Sequence, residues 1–192
     1  MKSENLLLSI KNRREFRQWL TDHSTTKKEC WIASKRGKPT DNINLWYLDA
    51  VEEALCFGWI DSIHKQINGV FMQRFSPRRA GSHWTELNKE RCRRLERLGL
   101  MTDAGRAVLP NMDIASFVVD DDIVTALKNA NAWETFKSFP SLYQRIRASN
   151  VAFYKKRNAS LYTKALQHLI DETKKGRLFG NWNDYCRLLI DV

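Results

Sequence analysis

Proline and glycine are scarce in this 192-residue chain, at four and eight residues, which excludes collagen-like and low-complexity architectures. Long apolar runs are missing as well. No stretch nears the ~18 apolar residues that a membrane-spanning helix needs. Leu6-Leu7-Leu8-Ser9-Ile10 is shorter than a signal-peptide core and has no small-residue cleavage site. A cytoplasmic protein without a transmembrane segment is therefore expected. Cys30, Cys56, Cys92 and Cys186 lie far apart, in or beside apolar periodic segments and without a CxxC pair, so they read as buried thiols in a reducing compartment. His23, His64, His83 and His168 are scattered and no HxxxH occurs, so no local metal site is expected. No glycine-rich phosphate loop exists, and no cofactor is implied. What is present is enough for a core: 43% of residues are hydrophobic and 28% charged, with a formal net charge of +10. The size suits one domain, or one domain with a helical extension.

Apolar spacing predicts a helix from Lys11 to about Thr21, with Asn12 and Glu15 as a capping box and Phe16, Trp19 and Leu20 as its stripe. Cys30 to Ser34 reads as a short strand stopped by the basic turn Lys35-Arg36-Gly37-Lys38-Pro39. Leu48, Val51, Ala54 and Leu55 mark a helix over Tyr47 to Phe57, with Gly58 as its C′ residue. Trp59 to Ile67 and Val70 to Phe75 flank Asn68-Gly69, a type I′ turn signature, and predict a hairpin. A two-residue loop pairs Ile67 with Val70, Lys65 with Met72, Ile63 with Arg74 and His64 with Gln73, leaving Asp61 diagonal to Arg74. The expected fold is thus α+β: a small antiparallel sheet of about three strands, with the hairpin at 59–75, packed with helices. Further helices are expected at Trp84 to Leu98, closed by Gly99; after the N-cap Thr102; and near 121–130, 131–138, 140–154 and 159–174. Residues 110–122 hold four Asp and no Lys or Arg. That shift suggests a core domain over 1–110 and a helical extension over 111–192.

Positive charge is concentrated in residues 74–97, with eight Arg or Lys against three Glu, and in 144–177, with nine against two acids. Such blocks either bind an anionic partner or are solvated helix faces laced with pairs such as Glu90 with Arg94. The loop from Phe75 to Thr85 concentrates the chemistry. Arg78 and Arg79 lie between a strand end and a helix start where Ser82 can cap, and guanidinium forks bind phosphate or carboxylate. Trp84 could stack on a base or ring. The alternative is structural: Arg78 and Arg79 pair with Asp61, Glu52 or Glu53 and pin the loop to the sheet. Catalytic patterns are weak. On a regular strand Asp61 points away from Ser62 and His64. Cys56 ends a helix inside an apolar run, and Glu52 and Glu53 diverge by about 100° around their helix.

Ala54-Leu55-Cys56-Phe57-Gly58-Trp59-Ile60-Asp61-Ser62, then Gln73-Arg74-Phe75-Ser76-Pro77-Arg78-Arg79, Ser82-His83-Trp84-Thr85-Glu86-Leu87-Asn88 and Met101-Thr102-Asp103-Ala104-Gly105, resemble the YdeI/OmpD-associated (bacteriocin-protection-like) family. The likeness covers about Trp31 to Pro110 and continues weakly to about Gly176. In the tail, Ala159-Ser160-Leu161-Tyr162-Thr163-Lys164 stands where that family tends to have a Thr-Arg pair. The resemblance implies a bacterial protein linked to stress and antimicrobial-peptide tolerance, with a porin association in the family name and no established reaction. It marks Gly58, Trp59, Asp61, Pro77, Arg78, Trp84 and Asn88 as matching positions.

The leading expectation is a non-catalytic module that binds a small anionic ligand through Arg74, Arg78, Arg79 and Ser82 beside Trp84, with Asp61 anchoring an arginine. Sequence-tolerant nucleic-acid binding across both basic blocks, with Trp84 or Tyr154 stacking, is the second. An enzyme using Asp61 with His64 or His83, and a module for a protein partner, are the remaining classes.

Overall fold

The structure, a computed structural model, describes residues 6–189. The ends of both expected domain spans, 1–5 and 190–192, lie outside the described residues. The chain forms two compact units, one from residues up to 83 together with 91–110, the other from 84–90 together with 111 onward.

The first unit is α+β. Its helix α1 (Arg13–His23) is capped by Asn12, whose side chain accepts from the Glu15 backbone N–H, while the Glu15 carboxylate accepts from the Lys11 N–H. Strand β1 (Leu6–Leu7) pairs parallel with β2 (Cys30–Ile32), and β2 pairs antiparallel with β4 (Val70–Pro77), which also pairs with β3 (Trp59–Ile67). The sheet order is β1-β2-β4-β3. It is therefore a mixed sheet of four strands, one more than expected, because a two-residue strand is too short to display alternation. Helix α2 (Tyr47–Cys56) ends at Phe57, and Gly58 takes the left-handed conformation at φ 73° before β3 begins. Phe16 and Phe75 meet at 5.5 Å between ring centroids, Trp19 meets Trp59 edge-on at 5.8 Å, and all but Trp19 are fully buried. These rings form the seam between helices and sheet.

Asn68 (φ 49°) and Gly69 (φ 82°) make the expected I′ turn. The expected pairs Ile67–Val70, Lys65–Met72 and His64–Gln73 form, but the register then shifts and Asp61 faces Phe75. Ser62 and Ile63 together oppose the single residue Arg74, which is a β-bulge. The expected pairing of Ile63 with Arg74 is replaced by it. The bulge also overturns the expectation that Asp61 and His64 point to opposite faces: their partners Phe75 and Gln73 are two residues apart, so both lie on the face that carries the helices.

Helix α3 (Glu86–Arg97) starts two residues later than expected, and Gly99 at φ 66° follows its end. Thr102 caps α4 (Asp103–Ala107) through the Gly105 N–H at 3.2 Å. The second unit is helical: α5 (Asp121–Asn129), α6 (Trp133–Ser138), α7 (Ser141–Lys155) and α8 (Ala159–Lys174), followed by a 3₁₀ turn at Arg187–Leu189. Ile123, Leu127, Phe136, Tyr143, Ile146 and Leu169 centre its core. Tyr143 packs edge-on against Phe139, Phe179 and Trp182.

Three of the four cysteines are buried, whereas Cys186, expected to be buried, is exposed; all four are free thiols. Cys186 follows Asp184 and Tyr185 in a run of three positive-φ residues, a turn that carries it away from the helical core.

Candidate anion-binding site

The basic loop is built from the end of β4. The Arg78 N–H donates to the Gly58 carbonyl at 2.9 Å, tying the strand end to the turn after α2. Its side chain is 8% exposed, and Nη1 donates to Ser82 Oγ at 3.1 Å and to the His83 carbonyl at 2.9 Å. Arg78 and Ser82 thus come together, with the guanidinium closing the loop on itself. Burial lowers the pKa of Arg78, and Cys92 and Asp61 act against that shift. Arg79 is exposed.

The other expected members are placed differently. Arg74 is held by Glu29 at 2.7 Å and reaches Ser62 Oγ at 3.3 Å, so an acid of the chain occupies it. Asp61 takes its hydrogen bond from the Tyr47 hydroxyl at 2.6 Å instead of anchoring an arginine through one. Ser82 is not a helix cap: α3 begins at Glu86, Thr85 Oγ1 accepts from the Asn88 N–H, and the Glu86 carboxylate stands in the first turn where an anion was expected. Trp84 falls in the segment that belongs to the second unit.

Glu52 and Glu53, offered as partners for Arg78 and Arg79, serve other arginines. Both bind Arg13, at 2.7 and 2.5 Å; Glu53 also binds Arg17 at 2.7 Å, and Glu52 binds Arg94 at 3.1 Å. Adjacent on α2, the two carboxylates converge on one guanidinium because Arg13 lies between them. The expected pair of Glu90 with Arg94 is replaced likewise, since Glu90 binds Arg145 at 3.0 Å.

An unforeseen residue joins the site. Backbone hydrogen bonds from Lys35 N–H to the Leu45 carbonyl (2.9 Å) and from Tyr47 N–H to the Lys35 carbonyl (2.8 Å) bring the turn after β2 against the start of α2. Arg36 then lies over the Tyr47 ring at 3.9 Å and donates to Gln73 Oε1 at 2.9 Å. Gln73, nearly fully buried, donates in turn to the Ile63 carbonyl in the bulge at 3.2 Å. Arg36, Tyr47, Asp61 and Gln73 therefore form one connected cluster. Burial, and then the Asp61 carboxylate, raise the pKa of Tyr47, while Arg91 and Arg36 pull it back. The phenol stays protonated at neutral pH and acts as a donor.

This arrangement can attract an anion more readily than it can move a proton. Asp61 is engaged by Tyr47, and His64 stacks on Phe71 at 5.4 Å. Burial pushes the Cys56 thiol up to about 11 and the Cys92 thiol up to about 12, far from a thiolate nucleophile. Among the described residues no group of three or more His, Cys, Asp or Glu is placed to hold a metal ion, and no helix is long and apolar enough to cross a membrane.

The family described as a domain of unknown function, DUF8412, matches residues 8–108. The chain belongs to that family. The matched span contains every residue of the Arg36–Tyr47–Asp61–Gln73 cluster. No curated protein and no solved structure matches the chain.

Proposed function

We propose that this DUF8412 member is a non-catalytic module that binds a small anionic ligand, a phosphate or carboxylate, beside Tyr47 and Asp61. The observation that carries the reading is Arg36. Its guanidinium is exposed, and its partners are the Tyr47 ring and the Gln73 amide, neither of which neutralises its charge. A guanidinium fixed in position by stacking and one hydrogen bond retains donors for a bidentate anion and loses little entropy on binding. Arg78 and Arg91 add positive potential at Asp61 and Tyr47. Arg79 is exposed, and Arg74 drops out because Glu29 neutralises it.

The resemblance to the YdeI/OmpD-associated family, with its link to stress and peptide tolerance, agrees with a binding role rather than a reaction. We infer a cytoplasmic location, which the four free thiols support.

The test is thermal unfolding with inorganic phosphate or pyrophosphate, against chloride at matched ionic strength. A ligand at 100 times its Kd stabilises by about 2.7 kcal/mol. The expected outcome is a rise in Tm for the wild type that is lost in Arg36→Gln. An equal rise in both proteins refutes the assignment.

A further inference from the structure

Away from that cluster, the hairpin carries a surface that anion binding does not use. Strand β2 pairs only with Gln73–Phe75 of β4, so the hairpin from Lys65 to Met72 projects past it. On the helix-bearing face of this projection Phe71 is 61% exposed, and the His64 ring stacks on it within 19° of parallel. Phe71 also walls an open groove of about 380 Å³. Ile10 and Lys11 border it from the start of α1, Ala33, Ser34 and Lys35 from the turn after β2, and Ile43, Asn44 and Leu45 from the approach to α2. That volume lies at the lower end of small-ligand sites.

The chemistry of the lining is mixed in a particular way. Its apolar floor is joined by an aromatic wall, a hydroxyl and a side-chain amide, and by two lysines, Lys11 and Lys35, the second with its ammonium over the Trp46 ring at 5.8 Å and Arg36 next to it in sequence. The acids nearby are engaged by the lining itself: Asp41 accepts from the Asn44 N–H and Nδ2, which leaves the Asn44 side-chain carbonyl for a ligand, and Glu15 accepts from the Lys11 N–H and Asn12 Nδ2. An acyl chain would leave much of its length in water in so open a groove. A planar ring with polar edges and a phosphate on each side satisfies every group: the ring on Phe71, the edges on Ser34 and Asn44, the phosphates on Lys11, Lys35 and Arg36.

We propose that the groove and hairpin form a binding platform for single-stranded nucleic acid, with one base seated against Phe71 and the backbone tracking Lys11, Lys35 and Arg36. Duplexes fit poorly, because their stacked bases present no free face to Phe71. This site differs from the basic blocks of residues 74–97 and 144–177; it shares Arg36 with the phosphate site and is told apart from it by Phe71, Lys11 and Lys35, which do not contribute there.

The experiment is an anisotropy titration of a fluorescein-labelled oligo(dU) ten-mer and of a duplex of equal length, over a range of salt. Three phosphate contacts give a slope of log K against log salt of about −2 for a single strand. Lys11→Ala with Lys35→Ala should flatten it by about 1.4. Phe71→Ala should weaken binding about 10-fold, and Phe71→Leu, which keeps apolar bulk without a π-face, should weaken it similarly. Because Phe71 is exposed, both variants should melt with the wild type. No binding at about 50 mM salt, tighter binding of the duplex, or unchanged affinity in both Phe71 variants overturns the platform. If the wild type shows the phosphate-induced rise in Tm but binds no oligonucleotide, the platform fails and the anion site survives.

Discussion

The Cys56 carbonyl is a small hub at the end of α2. It accepts from the Thr102 N–H at 3.1 Å and from Thr102 Oγ1 at 2.6 Å, and the same hydroxyl caps α4 through the Gly105 N–H. Gly105 packs directly on this carbonyl: a Cβ there would lie 2.7 Å from the carbonyl carbon and closer still to its oxygen. In an open helix Gly→Ala gains about 1 kcal/mol. Here the methyl must displace backbone, so Gly105→Ala should destabilise by about 2 kcal/mol or more, read as a lower urea midpoint with an unchanged m-value. A midpoint equal to or above wild type would show that α4 slides freely. At this scale the sequence was uneven. Thr102 was readable as a cap because its hydroxyl serves the next turn. The closeness of Gly105 to Cys56 was not, because it joins residues 49 apart. Arg36 looked like one cation in a basic turn, and only the hydrogen bonds between residues 35 and 45–47 make it a neighbour of Tyr47 and Asp61.

Among the elements, the hairpin explains both how much can be read ahead and where reading stops. Alternation and Asn68-Gly69 determine strand limits and register from the turn as far as His64, since each pair follows from the one before. A bulge adds a residue without changing composition, so nothing local announced the shift that sets Asp61 beside Tyr47. Strand β1 was hidden for another reason: its two residues pair with β2 only because the chain returns there. The hairpin also permits a clean measurement. Gly69 has open space around it and φ 82°, so a side chain would meet strain in the backbone alone. Gly69→Ala should cost about 1–2 kcal/mol. Asn68→Gly, also at positive φ, should be close to neutral. Chemical denaturation of both variants decides it, and equal losses would mean that contacts of the Asn68 side chain hold the turn. If the platform reading holds, Gly69→Ala should also weaken oligonucleotide binding by loosening the strand that carries Phe71.

For the molecule as a whole, the net charge of +10 overstates what a partner meets. Much of the positive charge in residues 74–97 and 144–177 is met inside its own unit: Arg74 by Glu29, Arg94 by Glu52, Arg145 by Glu86 and Glu90, Lys155 by Asp120 and Asp122, and Arg177 and Lys175 by Glu172. Linear counting missed this because several partners are distant, 42 residues for Arg94 and 55 for Arg145. Pairing on this scale makes acid a selective perturbant. Hydrogen bonds from Arg177 and then Lys175 hold the Glu172 carboxyl down at about 2, against 4.5 for a free glutamate. A depressed folded-state pKa stabilises fully above the unfolded value and loses that stabilisation as pH falls through the folded one. The stability difference between wild type and Glu172→Gln should therefore be flat above about pH 5, shrink between 4.5 and 2, and vanish below. Chemical denaturation at stepped pH measures that difference, and an NMR titration of the Glu172 carboxyl carbon locates its midpoint. A midpoint near 4.5 would mean that Arg177 and Lys175 are solvated and that the C-terminal end of α8 is held by its backbone hydrogen bonds and apolar packing without them.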